Sequence, residues 1–99
     1  MNGYYKLVGT TPVKVDNVME WGRGFASQEH QVSYDQIGDI EISTVFLGLD
    51  HSYGGNIPIL FETMVFGGEL DEEMERYSTW ELAETGHRRM VQRVKESLK

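Results

Sequence analysis

Cysteine is absent from the 99-residue sequence, which excludes disulfide bonds, thiol nucleophiles, iron–sulfur clusters and cysteine-based zinc sites. No apolar run approaches the roughly 20 residues that a membrane-spanning helix requires. The N-terminus has no basic segment followed by an apolar one, so no signal peptide is predicted. We therefore expect a cytoplasmic protein with no membrane anchor, and we expect no cofactor.

Basic residues are also scarce. The chain has nine lysines and arginines and 16 acidic residues, which gives a net charge of −7. Residues 1–75 hold 3 of the basic and 13 of the acidic side chains, whereas residues 76–99 hold 6 and 3. Because an acidic surface repels phosphate backbones, nucleic acid is not expected as a partner. A protein with a basic patch is the better electrostatic match.

The residues that are present suit one folded domain spanning 1–99. Hydrophobic residues make up 39% of the chain and aromatic residues 11%, which is enough apolar area to exclude disorder. A chain of this length supports one core and not a second. Strands are predicted at residues 4–8, 32–35, 40–47, 59–66 and, as a brief edge strand, 76–77, with a short extended piece at 13–15.

The central strand has a distinct pattern. Ile40, Ile42, Thr44 and Phe46 share one face of it. Both faces become apolar from residue 44 to 47, so we expect this strand to be covered on each side. Turns of hairpin length then make the central strands antiparallel.

Two helices are predicted from apolar spacing. Asp16 fits the N-cap of the first, which continues through Trp21 and Phe25. The second covers residues 79–98 and begins at a capping box formed by Ser78 and Glu81. Its apolar stripe is predicted to face the sheet, and it consists of Trp80, Ala83, His87, Met90, Val94 and Leu98. The fold class is therefore α+β, an antiparallel sheet of about four strands on which a short N-terminal and a long C-terminal helix pack.

Four segments carry a resemblance to known proteins, namely residues 19–22, 43–51, 60–68 and 77–81. They resemble a family of small uncharacterised proteins encoded by tailed bacteriophages and prophages. The resemblance covers most of the chain, from about Lys6 to the last helix, and brings no catalytic residues with it. It implies a phage accessory protein in a host bacterial cell, where small acidic phage proteins bind host proteins, including defence factors.

The loop from residue 48 to 56 is the first candidate site. Asp50, His51 and Tyr53 offer a carboxylate, an imidazole and a phenol, and Asn56 closes the loop. Loops held by a rigid scaffold often carry function. The alternative, which the residue types favour, is a long hairpin loop in which aspartate and glycine serve turn geometry.

Glu62 and His87 are the other candidates for acid–base chemistry. Glu62 shares a strand face with Leu60, Met64 and Phe66, so partial burial is expected, and burial without a partner raises a carboxyl pKa. A structural partner such as Arg76 is the favoured alternative. For His87, we favour a buried histidine that is hydrogen-bonded to the sheet over a catalytic base or metal ligand.

The acidic segment that includes Asp71, Glu72 and Glu73 lacks the calcium-binding loop pattern, and no local zinc motif is present, so no metal site is predicted. The preferred hypothesis is a non-enzymatic protein that binds a basic host protein through the 48–56 loop and this segment. The second is a small-ligand or hydrolase-like site around Asp50, His51, Tyr53, Glu62 and His87. A homodimer formed through an apolar sheet face is a third expectation.

Overall fold

The computed structural model describes residues 3–27, 30–52 and 55–99. The elements follow in the order β1 (Tyr4–Val8), β2 (Thr11–Val15), α1 (Val18–Ser27), β3 (Gln31–Ile37), β4 (Ile40–Phe46), β5 (Phe61–Phe66), β6 (Met74–Tyr77) and α2 (Trp80–Ser97). Strands β3, β4, β5 and β6 form an antiparallel sheet in sequence order, and β1 and β2 form a separate hairpin. The α+β prediction is confirmed.

The hairpin extends the prediction for the N-terminal region. Residues 11–15 pair with β1 along its whole length, so the extended piece predicted at 13–15 is a full strand. Gly9 has a φ of 65°, a left-handed conformation that glycine adopts without steric cost. Gly9 and Thr10 therefore form the turn of a β-hairpin.

Both predicted helix caps are displaced by one residue. In α1, Asn17 Oδ1 accepts hydrogen bonds from the backbone N–H groups of Met19 and Glu20 at 2.9 and 3.0 Å, so Asn17 takes the place predicted for Asp16. In α2, Thr79 Oγ1 accepts from Leu82 N at 3.1 Å. Thr79 is thus the N-cap, and the capping box predicted for Ser78 and Glu81 is wrong.

The stripe of α2 packs on the sheet as predicted, except at its end, where Leu98 lies beyond the helix and is 56% exposed. Two apolar clusters result. One contains Leu7, Phe46, Leu60, Phe61, Tyr77 and Ala83, and the other contains Ile40, Ile42, Val65, Met90 and Val94. His87 lies between the two clusters along the helix and is only 2% exposed.

Helix α1 and the hairpin close one end of the first cluster. The Trp21 indole donates to the carbonyl of Tyr5 at 2.9 Å and stacks on Phe25 with ring centroids 5.0 Å apart. Phe25 in turn contacts Phe46 of β4. A Cβ at Gly48 would collide with the Phe25 ring, so a glycine at 48 is what lets this aromatic stack reach the sheet.

Among the described residues, no helix has the length and apolar character needed to cross a bilayer.

Candidate functional site

A row of polar side chains crosses the sheet beneath α2. Thr44 of β4 lies directly opposite Thr63 of β5, and Thr63 lies opposite Glu75 of β6. Both threonines have no exposed surface, and their hydroxyls are hydrogen-bonded to each other. The row separates the two apolar clusters, because the neighbouring pairs of residues on the same face are apolar.

His87 joins this row to the edge strand β3. Its Nδ1 lies 2.6 Å from Thr44 Oγ1, and its Nε2 lies 2.8 Å from Asp35 Oδ2. The histidine is thus buried and hydrogen-bonded to the sheet, as its structural interpretation predicted. The Asp35 side chain is 55% exposed, so this contact links the interior to solvent.

Tyr77 continues the row at the other side. Its hydroxyl lies 3.0 Å from Thr63 Oγ1 and 3.0 Å from Glu75 Oε1. Burial raises the pKa of the Tyr77 phenol above its ordinary value of 10.0; the Thr63 bond opposes the rise and the Glu75 carboxylate adds to it. Arg89 reaches Glu75 at 2.9 Å, which ties the row to the surface of α2.

Asp35, His87 and Thr44 stand in the order of a carboxylate, an imidazole and a hydroxyl, the order found in hydrolytic triads. A nucleophile must reach a substrate carbon, however, and Thr44 is completely buried. Its oxygen already contacts two partners, His87 and Thr63. The arrangement therefore stabilises the helix–sheet contact and offers no accessible nucleophile.

Asp50 braces the start of the 48–56 loop. Its Oδ1 accepts from Ser52 N at 2.9 Å and from Ile59 N at 3.0 Å. Burial on its own would raise the pKa of this carboxyl, but these backbone donors, with the His51 charge, lower it below the ordinary value of 3.8. Tyr53 lies outside the described residues, and Asn56 is exposed.

Glu62 has a structural partner, and it lies apart from His87. Its Oε1 is 3.7 Å from Arg76 Nε, and its side chain is 17% exposed, as the alternative interpretation predicted. Side chains alternate along a strand, so Glu62 and the neighbouring Thr63 point to opposite faces of the sheet. His87 contacts the Thr63 face, and the structure therefore does not bring Glu62 and His87 together.

The acidic segment between β5 and β6 is a folded turn. Asp71 Oδ1 accepts from Gly67 N at 2.6 Å, and Glu73 forms an ion pair with Arg93 of α2 at 3.1 Å. Glu72 is exposed and has a φ of 68°. Within the described part of the chain, no group of three or more histidine, aspartate or glutamate side chains could hold a metal ion.

The second face of the four-stranded sheet has no covering element among the described residues, so the expectation that β4 is covered on each side is wrong. We call its outward side chains the open face. In cross-strand register, they are Gln31, Tyr34, Gln36, Glu41, Ser43, Val45, Glu62, Met64, Phe66, Met74 and Arg76. Leu60, which was predicted to share this face with Glu62, turns into the core instead because β5 begins only at Phe61.

Large apolar and aromatic side chains reach solvent on the open face. Phe66 is 49% exposed, Tyr34 44% and Met74 41%. The Tyr34 hydroxyl donates to Glu41 Oε1 at 2.6 Å, and this hydrogen bond is the first cause that raises the pKa of Tyr34 above 10.0. Sequence reasoning did not select these residues, although the alternation of Glu62, Met64 and Phe66 is a signal that could have found them.

Charge is divided between the two sides of the sheet. Arg76 is the one basic side chain among the open-face residues, where Glu41 and Glu62 are acidic. Arg88, Arg89, Arg93 and Lys95 lie on α2, which covers the other face. Helix α2 also carries Glu81, Glu84 and Glu96. Its four basic and three acidic side chains sum to +1, whereas the one basic and two acidic side chains of the open face sum to −1.

Comparison with known proteins gave no match: no family model, no curated protein and no solved structure is similar to this chain.

Proposed function

We propose that this protein is a non-enzymatic binding protein, and that it docks a basic, partly apolar surface of another protein on its open face. The observation that carries the proposal is the exposure of Tyr34, Phe66 and Met74 on one uncovered sheet face. Exposed aromatic and methionine side chains that lie together are typical of protein-binding surfaces.

The chemistry of the partner follows from charge. The open face has two carboxylates and one guanidinium, and the first 75 residues carry a net charge of −10. Opposite charge on the partner speeds encounter and selects orientation, while the apolar side chains provide buried area. A host protein with a basic patch, met in the cytoplasm of a bacterium by a phage-type accessory protein, fits this chemistry, and inhibition of a host defence factor would be one result of such binding.

Matched variants test the surface. Phe66→Ser and Met74→Ser remove apolar side chains from the open face. Leu82→Ser on α2 and Met19→Ser on α1 do the same elsewhere, at positions that are 53% and 72% exposed. Each variant is used as bait in a bacterial lysate, the retained protein is identified, and its purified form is titrated with each variant at several salt concentrations.

We expect the open-face variants to weaken binding of the purified partner at least tenfold and the two controls to leave it unchanged. Added salt should weaken binding to the wild type because it screens the charges. Equal affinity for all four variants, or no partner at low salt, would contradict the proposal. Light scattering, which measures the molar mass in solution, distinguishes binding of another protein from formation of a homodimer. If the wild type is a dimer and Phe66→Ser is a monomer, the open face binds a second copy of this chain.

A further inference from the structure

The outer edge of β3 has no neighbouring strand among the described residues, because β3 lies at one end of the strand order. The strand contains no lysine and no proline, the residues that commonly protect a sheet edge. Its register shift against β4 lies between Gln31 and Ser33, before a stretch from 34 to 36 in which every residue is exposed. Side chains alternate between the two faces of a strand, so exposure of three in succession indicates an edge that is open on both faces.

The turn after β3 determines which backbone groups of the strand point outward. Gly38 has a φ of 59°, and the residue after it has no positive φ, which suits a type II′ hairpin with glycine at its first central position. In such a hairpin, the residues that flank the turn exchange both of their hydrogen bonds. These residues are Ile37 and Ile40, which are opposite each other in the register.

Hydrogen-bonded and non-hydrogen-bonded pairs alternate along an antiparallel ladder. Counted back from the turn, Asp35 bonds to β4, whereas Tyr34 and Gln36 direct their N–H and C=O groups away from it. The same alternation holds further along β4, where Phe46 N donates towards the β3 side, to the carbonyl of His30 at 2.7 Å. The outer edge of β3 therefore presents two N–H and two C=O groups to another strand.

Asp35 lies between the two outward-bonding residues, and its side chain is on the α2 side of the sheet. Its carboxylate contacts His87 Nε2 at 2.8 Å, and the side chain is nevertheless 55% exposed. A carboxylate has about four acceptor positions, so it can accept from a cation and keep the contact with His87. On an added antiparallel strand, the Cβ of the residue opposite Asp35 would lie about 4.5–5.5 Å away. A lysine or arginine there would form an ion pair across the edge.

The residues on either side of that cation would point to the open face. One would lie beside Tyr34, which is 44% exposed, and the other beside Gln36. Aromatic side chains pair favourably with aromatic and β-branched side chains across neighbouring strands, so an apolar residue is favoured beside Tyr34. The added strand would thus alternate apolar and basic residues and would widen the open face.

We propose that the partner adds an extended segment to β3 as a further antiparallel strand, with a basic side chain opposite Asp35 and apolar side chains on the open face. The inference rests on the proposed function, because it assigns this segment to the basic, partly apolar partner. In this mode of recognition, backbone hydrogen bonds provide affinity and alternate side chains provide specificity. A second copy of β3 is a poorer fit, because symmetric pairing about the exposed stretch sets two Asp35 carboxylates opposite each other.

A short peptide tests the edge without knowledge of the partner. The probe is a blocked pentapeptide with the sequence serine–valine–lysine–valine–serine. One control peptide has glutamate in place of lysine, and a second has both valine nitrogens methylated, which removes the donors that would face β3. Nitrogen-15 spectra of the labelled protein follow each titration up to about 10 mM peptide, so that a millimolar dissociation constant is measured.

We expect the lysine peptide to shift the amide signals of Tyr34 and Gln36 and to slow their exchange with deuterium. The glutamate peptide should bind about tenfold more weakly, and the methylated peptide should not bind. Unchanged signals of Tyr34 and Gln36 with the lysine peptide, or equal binding of the methylated peptide, would overturn the inference.

Variants of the protein provide a matched test. Gln36→Pro removes one outward N–H, and an edge strand tolerates proline at such a position, whereas Gln36→Ala removes the side chain and keeps the N–H. The proline variant should bind the lysine peptide about tenfold more weakly, and the alanine variant should bind it as the wild type does. Asp35→Asn should reduce the preference for lysine over glutamate, and Asp39→Asn, in the adjacent exposed turn, should not. If Gln36→Pro does not fold, the methylated peptide decides with the wild type.

Phe66→Ser separates this inference from the proposed function, because β4 lies between Phe66 and the β3 edge. The variant should leave pentapeptide binding unchanged. Partner binding that Phe66→Ser weakens and Gln36→Pro does not would contradict the strand addition and leave the proposed function standing. The opposite pattern would support the strand addition and contradict docking on the open face. A wild-type dimer that Gln36→Pro dissociates in light scattering would assign the edge to a second copy and overturn the choice of partner.

Discussion

The phenol ring of Tyr77 lies against the backbone of Gly86, in the space that any Cβ at position 86 would occupy. Tyr77 ends β6 and Gly86 lies in the middle of α2, so the contact sets how closely the helix approaches the sheet. It also leaves room for the Tyr77 hydroxyl to reach Thr63. A glycine inside a long helix, which costs helix stability, is thus explained by packing.

Gly86→Ala should therefore destabilise the protein. Alanine improves helix propensity by about 1 kcal/mol, but overpacking against Tyr77 costs about 1–3 kcal/mol. Urea denaturation measures the balance. Gly22→Ala in α1 is the matched control, because a Cβ there meets no described atom within 4 Å, and it should stabilise the protein. Equal stabilisation by both changes would show that Tyr77 does not fill the space.

Thr63→Val tests the polar row. The change keeps the shape of the side chain but removes the buried hydroxyl that contacts Thr44 Oγ1 and accepts from the Tyr77 hydroxyl, which should lower the free energy of unfolding by about 1–3 kcal/mol. Thr85→Val, at an exposed position on α2, is the control and should change it by less than about 0.5 kcal/mol. A Thr63→Val protein as stable as the control would mean that the hydroxyl contacts contribute nothing.

Asp50→Asn should change the response to acid. The pKa of Asp50 is lowered in the fold, so its contribution to stability is present above 3.8, the ordinary value, and is lost as the pH falls below it. The variant should be less stable than the wild type at neutral pH, and the difference should shrink in acid. Unfolding midpoints from neutral pH down to about pH 3 provide the measurement, with Asp16→Asn, at an exposed position, as the control. If the difference in stability between Asp50→Asn and the wild type does not change with pH, the hydrogen bonds to the Asp50 carboxylate do not stabilise the fold.

Alkaline titration tests the two tyrosines, among those that the structure describes, whose pKa is raised. The pKa values of Tyr34 and Tyr77 are raised above 10.0, so the stability they contribute is present below that pH and is lost as the pH rises through their folded values. Tyrosinate absorbance should show two groups that ionise late, and Tyr34→Phe and Tyr77→Phe should each remove one of them. Persistence of both late groups in either variant would contradict the assignment.

Local sequence patterns predicted the secondary-structure elements well where the spacing of the buried residues is regular. The stripe Ala83, His87, Met90 and Val94 is a helical period read directly from neighbours in sequence, and the structure buries all four. The caps failed because adjacent residues compete for one role. Ser78 and Thr79 both have a hydroxyl that can cap α2. Which of them is the N-cap depends on where the chain leaves β6, and the local sequence does not determine that position.

Contacts between distant residues could not be predicted. Asp35 and His87 are 52 positions apart, and their pairing depends on which strand lies at the edge beneath the helix. The position of Thr44 among buried apolar residues was evident, yet its partner Thr63 requires the register of β4 on β5. The open face was predicted only in outline: an apolar sheet face available to a second copy was expected, but β4 was expected to be covered on both sides. Apolar residues on both faces of a strand are typical of burial, but they also occur where a face is kept for a partner.

The facing pair of Thr44 and Thr63 has a consequence for how the strands find their alignment. Alternation of apolar and polar residues rejects a slip of one position, because every side chain would change face. The same alternation tolerates a register shift of two residues, because the apolar side chains would still point into the core. Such a shift would place Thr44 opposite Phe61 or Val65. The Thr44 hydroxyl would then be buried opposite an apolar side chain that cannot form a hydrogen bond with it. One polar pair therefore distinguishes alignments that hydrophobicity treats as equivalent.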